Sequence, residues 1–201
     1  SLHSNGTTKS GATINKTKYK FGSGALELDG TNDYVNATRN FGGWNFTISL
    51  WVYPILSNDE MLFYIGDGIG GNEFAMYLNN RLSVNTNNGA FTSGAKTIGA
   101  NNWVHFAVTN YESNYTLYVN GLKDGNKTDL VRLNFTNCEI LIGVDADTGT
   151  CGGGLSNFAD VKLDEIAIWN RTLSANEVNN LYLRGAYRLN VSARACDDDA
   201  C

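Results

Sequence analysis

The stretch Phe46-Thr47-Ile48-Ser49-Leu50-Trp51-Val52-Tyr53 decides the fold that this sequence predicts. Successive side chains of an extended strand point to opposite faces. One face then carries Phe46, Ile48, Leu50 and Val52, and the other carries Thr47, Ser49, Trp51 and Tyr53. Because both faces hold large apolar side chains, we expect this strand at the centre of a packed sheet.

Similar short alternating or apolar runs occur on both sides of this stretch, and Gly, Asn and Asp separate them. The further predicted strands are residues 25–28, 34–37, 61–65, 73–78, 81–85, 103–109, 115–120, 140–144 and 162–169. Asn79-Asn80 and Asn120-Gly121 predict hairpin turns, since Asn and Gly tolerate positive φ. Many short strands at this spacing are typical of an all-β, two-sheet antiparallel sandwich or jelly roll.

One short helix is predicted over residues 174–183. Ser174 is a good N-cap, and Glu177 follows at the spacing of a capping box. Val178, Leu181 and Tyr182 then supply an apolar stripe at helical spacing.

Composition narrows the class of protein. The 201 residues suit one all-β domain, and 42% hydrophobic residues supply a core, whereas only 17% are charged. The net charge of −5 argues against nucleic acid as a partner. No apolar run approaches the ~18 residues that a membrane span needs. Because the chain opens at Ser1 without an initiator Met, we expect a mature product or an excised segment.

Nine Asn-X-Ser/Thr sequons occur, about twice the number that random placement would give. They begin at Asn5, Asn15, Asn36, Asn45, Asn114, Asn126, Asn134, Asn170 and Asn190. Sequons matter only where an oligosaccharyltransferase meets the chain, so they predict a secreted or cell-surface glycoprotein. Chance occurrence in a chain rich in Asn and Thr is the alternative. Asn36, Asn114, Asn126 and Asn170 are the best candidates for glycosylation, because they lie near predicted strand ends or turns.

The four cysteines form two close pairs in sequence, Cys138/Cys151 and Cys196/Cys201. An even number at short separations predicts two local disulfides in an oxidising compartment. Zinc is the weaker alternative, because no Cys-X2-Cys pair exists and both histidines are far from the cysteines in sequence.

Several segments together resemble a known family. Residues 21–30 have the sequence FGSGALELDG, and Asp33-Tyr34-Val35 follows. Later segments match in order: residues 46–52, 103–109, 117–121, 142–143 and 163–174. This arrangement, over about residues 20–183, is similar to LamG-like jelly-roll domains of the concanavalin A-like lectin/glucanase superfamily. The resemblance implies two antiparallel sheets packed face to face.

That superfamily includes carbohydrate binders, adhesion modules, calcium-stabilised domains and some glycoside hydrolases, so the fold alone selects no function. The resemblance implies that a hydrolase would carry a catalytic carboxylate set such as E-x-D-x-x-E on one strand, and this chain has none. Asp164 and Glu165 are adjacent, so we expect them on opposite sheet faces. His105 lies between Val104 and Phe106 and is expected in the core. We therefore predict no enzyme activity and no required cofactor.

Calcium is a candidate structural ligand, because related folds hold it where an early loop meets a late strand. Asp29, Asp33 and Asp164 are the candidate calcium-binding residues. The alternative is that Asp29 and Asp33 cap turns. For a sugar site, the sequence offers the aromatic residues Trp44, Tyr64, Tyr77, Tyr111 and Tyr115, with no feature that selects one of them.

The two ends of the chain suggest assembly. Residues 1–19 form a polar arm in which we expect no strand, so that the jelly-roll domain of residues 1–183 has a vacant edge. Residues 184–201 form an extension, in which Tyr187, Leu189, Val191 and Ala193 alternate with polar residues. This surplus strand is predicted to pair with a neighbouring subunit and to build a filament. Folding back in cis, or truncation of a following domain, are the alternatives.

Two functions follow from these observations. The first is a glycosylated extracellular structural or adhesive subunit that self-associates into a homo-oligomer or filament by strand donation. The alternative is a carbohydrate-binding or adhesion module of a larger secreted protein, in which glycans are the partners.

Overall fold

The computed structural model describes residues 6–38, 45–55, 60–66, 73–86, 90–128, 139–148 and 153–186. The strands in chain order are β1 (Thr7–Lys9), β2 (Thr13–Asn15), β3 (Ala25–Asp29), β4 (Tyr34–Thr38), β5 (Asn45–Pro54), β6 (Glu60–Gly66), β7 (Glu73–Leu78), β8 (Leu82–Thr86), β9 (Ala90–Ser93), β10 (Val104–Tyr111), β11 (Asn114–Val119), β12 (Leu122–Thr128), β13 (Glu139–Ile142), β14 (Asp145–Thr148), β15 (Gly153–Ser156) and β16 (Asp160–Trp169). One helix follows, α1 (Ala175–Ala186).

Fourteen of these strands form two seven-stranded antiparallel sheets, which confirms the predicted jelly-roll sandwich, and β14 pairs with β15 in a separate two-stranded sheet. Sheet A has the order β1-β4-β13-β6-β7-β8-β9, and sheet B has the order β12-β11-β10-β5-β16-β3-β2. All ten predicted strands are present, with ends shifted by a few residues at most. The predicted turns also form, with positive φ at Asn80, Asn120 and Gly121.

Strand β5 lies at the centre of sheet B, as its sequence predicts. It pairs with β10 on one side and with β16 on the other. Phe46, Ile48, Leu50 and Val52 are fully buried in the core between the two sheets. Its other face is called the outer face of sheet B below, and it carries Thr47, Ser49, Trp51 and Tyr53.

Helix α1 covers part of the outer face. The capping box forms as predicted: Ser174 N donates to Glu177 Oε2 at 2.8 Å, and Glu177 N donates to Ser174 Oγ at 3.3 Å. The Thr47 hydroxyl ties the preceding loop to β5, because it accepts from Leu173 N at 2.9 Å and donates to Arg171 O at 3.0 Å. The helix continues to Ala186, so residue 183, the predicted end of both the helix and the jelly-roll domain, lies within the last turn of α1. No helix among the described residues is long and apolar enough to cross a membrane.

The prediction of a strandless N-terminal arm is wrong. Strand β1 pairs with β4 at one edge of sheet A, and β2 pairs with β3 at one edge of sheet B. An edge strand needs only backbone hydrogen bonds to one neighbour, and Thr favours the extended conformation, so a polar segment suffices. The arm therefore occupies one edge of each sheet, and the expected vacant edge is filled by the same chain.

Gly185 allows α1 to approach sheet B closely. A Cβ at this position would overlap the indole ring of Trp51. In an exposed helix, replacing Gly by Ala stabilises by about 1 kcal/mol. Here we expect Gly185→Ala to lower the free energy of unfolding by about 1–3 kcal/mol, because the helix or the indole must shift.

Urea denaturation of Gly185→Ala, with Gly99→Ala as the control, measures this effect. A Cβ on Gly99 would have nothing within 4 Å, so that variant should change stability by less than about 0.5 kcal/mol. A stabilised Gly185→Ala protein would mean that the helix does not rest on Trp51.

Candidate functional site

The outer face of sheet B has a covered half under α1 and an open half beyond it. In the covered half, Trp51, His105 and Trp169 line a cavity of about 130 Å³ between β5, β10, β16 and the helix. Glu165 and Arg184 contribute charged groups to its lining, and both residues are exposed. The covered half therefore holds a small chamber with an aromatic lining.

A Ser–His pair lies in this chamber. Ser49 and His105 are adjacent to each other on β5 and β10, and Ser49 Oγ shares a hydrogen bond of 2.9 Å with His105 Nε2. Burial lowers the pKa of His105 to about 4, so the imidazole is neutral near pH 7. Its Nδ1 has no hydrogen-bond partner among the described residues. Among the described residues, the pair thus lacks the acidic group that orients the histidine in a catalytic triad.

Trp51 is engaged on several sides and is only 3% exposed. Tyr182 of α1 stacks on it at 5.8 Å between ring centroids, and Phe21 meets it edge-on at 6.4 Å. The ammonium of Lys20 lies 4.1 Å from the centroid of the indole ring. Trp51 therefore serves as the support for α1 and for the Lys20–Phe21 segment, and offers no free ring surface to a ligand.

A β-bulge corrects the expectation for Asp164 and Glu165. The register of β16 against β5 shifts between Asp164 and Ala167, and Glu165 takes a positive φ of 49°. The extra residue leaves both acidic side chains on the outer face, rather than on opposite faces. Asp164 is fully used there: Oδ2 accepts from the N–H groups of Lys20 at 2.7 Å and Phe21 at 2.9 Å, and Oδ1 accepts from Glu165 N at 2.8 Å.

The open half carries a pair of partly exposed aromatic side chains. Tyr53 and Trp103 lie 5.5 Å apart between ring centroids, with their planes inclined by 59°. Lys18 reaches across from the N-terminal arm, with its ammonium 4.8 Å from the Tyr53 ring centroid and 3.2 Å from Tyr53 Oη. An aromatic surface with an adjacent ammonium donor is therefore open to solvent.

Charged and polar side chains lie beside Tyr53 on the neighbouring strands of sheet B, in one row across the sheet. Lys162 is the register partner of Tyr53 on one side and of Glu27 on the other. Lys162 Nζ lies 2.8 Å from Glu27 Oε1, and Asn15 Nδ2 donates to Glu27 Oε2 at 2.9 Å. These hydrogen bonds, from Lys162 first and then from Asn15, lower the pKa of Glu27. The carboxylate is therefore ionised near neutral pH, and its side chain remains 35% exposed.

The three predicted calcium ligands do not form a site together. Asp164 is occupied by backbone N–H groups, and Asp29 caps a turn by accepting from Thr31 N at 2.9 Å. Asp33 is buried, and its Oδ1 has no hydrogen-bond partner among the residues described. Within the described ranges, no group of three or more His, Cys, Asp or Glu side chains is placed to hold a metal ion.

Of the aromatic residues that the sequence offered for a sugar site, the four that the structure describes are not part of the Tyr53–Trp103 pair. Tyr64 and Tyr115 are buried, Tyr77 packs in a cluster on the outside of sheet A, and Trp44 lies outside the described residues. Tyr111 is 55% exposed. The alternation of β5 already placed Tyr53 on the outer face, but the proximity of Trp103 depends on the pairing of β5 with β10.

The two predicted disulfides lie outside the residues that the structure describes. Cys138 and Cys151 lie on either side of the described segment 139–148, which contains β13 and β14, while Cys196 and Cys201 follow the end of α1. The pairings Cys138–Cys151 and Cys196–Cys201 therefore stay predictions.

Other predicted sites also fall where nothing is described. These are the sequons at Asn5, Asn134 and Asn190, and the strand residues Tyr187, Leu189, Val191 and Ala193. Their glycans and subunit contacts stay predictions as well.

Comparison with known proteins defines the class. A family model named Laminin_G_3, described as Concanavalin A-like lectin/glucanases superfamily, matches residues 29–179, which is more than half of the chain. The chain belongs to this family. No curated protein sequence matches it.

Solved structures share the fold at low sequence identity. Domain 4 of AbnA, an extracellular GH43 arabinanase from Geobacillus stearothermophilus solved with arabinotriose, is similar at 18% identity and a TM-score of 0.66, with 88% of this chain and 87% of that chain covered. A heptameric SAP-like pentraxin from Limulus polyphemus is similar at 16% identity and a TM-score of 0.66, with 79% of this chain and 81% of that chain covered. The binding domain of botulinum neurotoxin serotype G is similar at 19% identity and a TM-score of 0.66, with 90% of this chain covered. The chain spans only 46% of that toxin domain.

The buried neutral His105 predicts a pH dependence of stability. Its pKa is about 4 in the fold, against 6.5 for an unperturbed histidine in an unfolded chain, so between these pH values only the unfolded state binds the proton. Stability from this group is fully present above pH 6.5 and falls as the pH drops towards 4, by up to ~3 kcal/mol. His105→Gln should flatten this part of the profile.

Urea denaturation of the wild type and of His105→Gln at a series of pH values tests this expectation. Parallel profiles for wild type and His105→Gln would contradict a histidine held neutral by burial.

Proposed function

We propose that this chain is a non-enzymatic carbohydrate-binding module, and that Tyr53, Trp103, Lys18 and Glu27 on the open half of sheet B form its binding surface. The observation that carries the proposal is the partly exposed Tyr53–Trp103 pair, with the Lys18 ammonium beside it. This is the alternative function that the sequence offered.

The side chains of this binding surface have the chemistry that a sugar ligand needs. The C–H face of a pyranose or furanose ring packs on an aromatic ring, and its hydroxyl groups need both donors and acceptors nearby. Tyr53 and Trp103 supply rings, Lys18 supplies a donor, and the ionised Glu27 supplies an acceptor. Adjacent strands are about 4.8 Å apart, so Tyr53 and Glu27, two strands apart, span about 10 Å. This length suits a short oligosaccharide rather than a single sugar.

The surface is also held in place before a ligand arrives. Lys162 and Asn15 fix the Glu27 carboxylate, and Asp164 fixes the segment at Lys20 and Phe21 that follows Lys18. A preorganised surface loses little side-chain entropy on binding. Solved domains of the same fold include one in complex with arabinotriose, which supports a sugar as the class of ligand.

A location outside the cell supports the same function. Nine sequons and a low content of charged residues suit an extracellular protein, as does the fold shared with a domain of an extracellular arabinanase. Two features weigh against catalysis: backbone N–H groups occupy Asp164, and the Ser49–His105 pair lacks an acidic partner among the described residues.

The strand-donation hypothesis loses its structural premise. It required a vacant sheet edge, and β1 and β2 of the same chain already pair with β4 and β3. We therefore do not propose a filament for this chain.

Replacing the aromatic pair tests the binding surface. Tyr53→Ala and Trp103→Ala should each raise the dissociation constant for a bound oligosaccharide by about tenfold or more, because each removes ~1.5 kcal/mol of binding free energy. A glycan array identifies the ligand, and isothermal titration calorimetry measures the constants.

Tyr111→Ala is the matched control, because Tyr111 is an exposed aromatic residue at the opposite end of β10. It should bind as wild type does. A wild-type protein that binds no glycan would end the proposal, and equal binding by all three variants would move the site elsewhere.

A further inference from the structure

Six of the nine sequons lie in described parts of the chain, and the fold treats their asparagines differently. Asn126 on β12 and Asn170 after β16 are exposed, and neither side-chain amide has a hydrogen-bond partner among the described residues. Hydrogen bonds hold three of the other four amides, and the fourth, that of Asn36, is partly buried. Asn45 Oδ1 accepts from Glu112 N at 3.0 Å, and Asn36 is half-buried on β4, between β1 and β13 of sheet A.

The Asn114 side chain is exposed, but both polar atoms of its amide are hydrogen-bonded. Its Nδ2 donates to Tyr111 O at 3.1 Å and to Glu112 O at 3.4 Å, and its Oδ1 accepts from Thr128 Oγ1 at 2.7 Å. A sugar on Nδ2 would remove one of its two donor protons, so one of these contacts would be lost.

Asn15 and Asn126 form a natural comparison, because both begin the tripeptide Asn-Lys-Thr. Asn15 Nδ2 donates to Glu27 Oε2 at 2.9 Å, and Asn15 Oδ1 accepts from the backbone N–H groups of Thr17 and Lys18 at 2.9 and 2.7 Å. A glycan there would disturb the turn that carries Lys18. The two sites share their local sequence and differ in structure.

We propose that Asn126 and Asn170 are N-glycosylation sites of this domain, and that Asn15, Asn36 and Asn45 stay unmodified in the folded protein. The donor class is a lipid-linked oligosaccharide phosphate or diphosphate. The bond from the anomeric carbon to the phosphate oxygen breaks, a bond from that carbon to Asn Nδ2 forms, and the Nδ2 proton leaves with the lipid phosphate.

The position of these sites is compatible with the proposed binding surface. A register row runs across sheet B from Trp169 through Thr47, Thr109 and Thr116 to Asn126. Trp103 lies six residues before Thr109 along the chain that forms β10, which is about 20 Å in an extended strand. Glycans at this end of the sheet therefore leave the Tyr53–Trp103 pair open.

The test uses two matched variants of the full chain, secreted from a eukaryotic cell line that glycosylates Asn-X-Thr. Thr128→Ala destroys the Asn126 sequon, and Thr17→Ala destroys the Asn15 sequon. Each removes one exposed hydroxyl that donates to an asparagine Oδ1. Thr128→Ala should lose the mass of one glycan, and Thr17→Ala should lose none. Thr128→Ser keeps the sequon and should keep the glycan, which separates loss of the site from an effect on folding.

Enzymatic deglycosylation in ¹⁸O-labelled water, followed by peptide mass spectrometry, reads occupancy at each asparagine. We expect label at Asn126 and Asn170 and none at Asn15, Asn36 or Asn45. Equal label at Asn15 and Asn126, an equal glycan loss in the two Thr→Ala variants, or a secreted protein without glycan would each overturn the proposal. None of these outcomes depends on whether the domain binds a sugar ligand.

Discussion

The central strand β5 must be covered on both faces, and much of the structure follows from this constraint. Its inner side chains are buried by sheet A, as in any sandwich. Its outer face carries Trp51, and leaving an indole in water would forgo about 2–3 kcal/mol of burial. Helix α1 supplies the missing cover through Tyr182, and Gly185 allows the close approach. The Thr47 hydroxyl then fixes where the helix begins.

The limit of that cover determines where a ligand can reach sheet B. The helix and the Lys20–Phe21 segment cover Trp51 and His105, which leaves a small chamber lined by aromatic rings and by the charged residues Glu165 and Arg184. Tyr53, two residues after Trp51 on β5, and Trp103, two residues before His105, lie beyond the helix and are partly exposed. One continuous aromatic strip is thus divided into a structural half and an accessible half. An aromatic side chain in this strip is accessible or not according to whether the helix lies over it, and its residue type does not decide this. Composition alone therefore does not reveal the division.

The sequence predicted the parts of the fold that hydrophobic alternation encodes. Strands such as β5 and β10 have clear patterns, and α1 has a capping box and an apolar stripe. Strands β1 and β2 were missed because their pairing uses backbone hydrogen bonds, and one apolar residue, Ile14, among Thr, Lys and Asn makes no apolar pattern. The bulge at Glu165 was missed for a related reason, since one extra residue in β16 reverses the expected side-chain directions. The Tyr53–Trp103 pair depends on contacts between distant segments, which a local pattern does not encode.

The way in which β1 and β2 are attached has a mechanical consequence. Both are three-residue edge strands from one short stretch of chain, and they are held on different sheets. A pulling force applied at the N-terminal side would reach β1 first and β2 only after β1 has detached. The two short ladders would therefore yield one after the other, at low force, while the long pairings of β5 carry no load. A module tethered through this end would extend by a short length under tension and keep its sandwich intact.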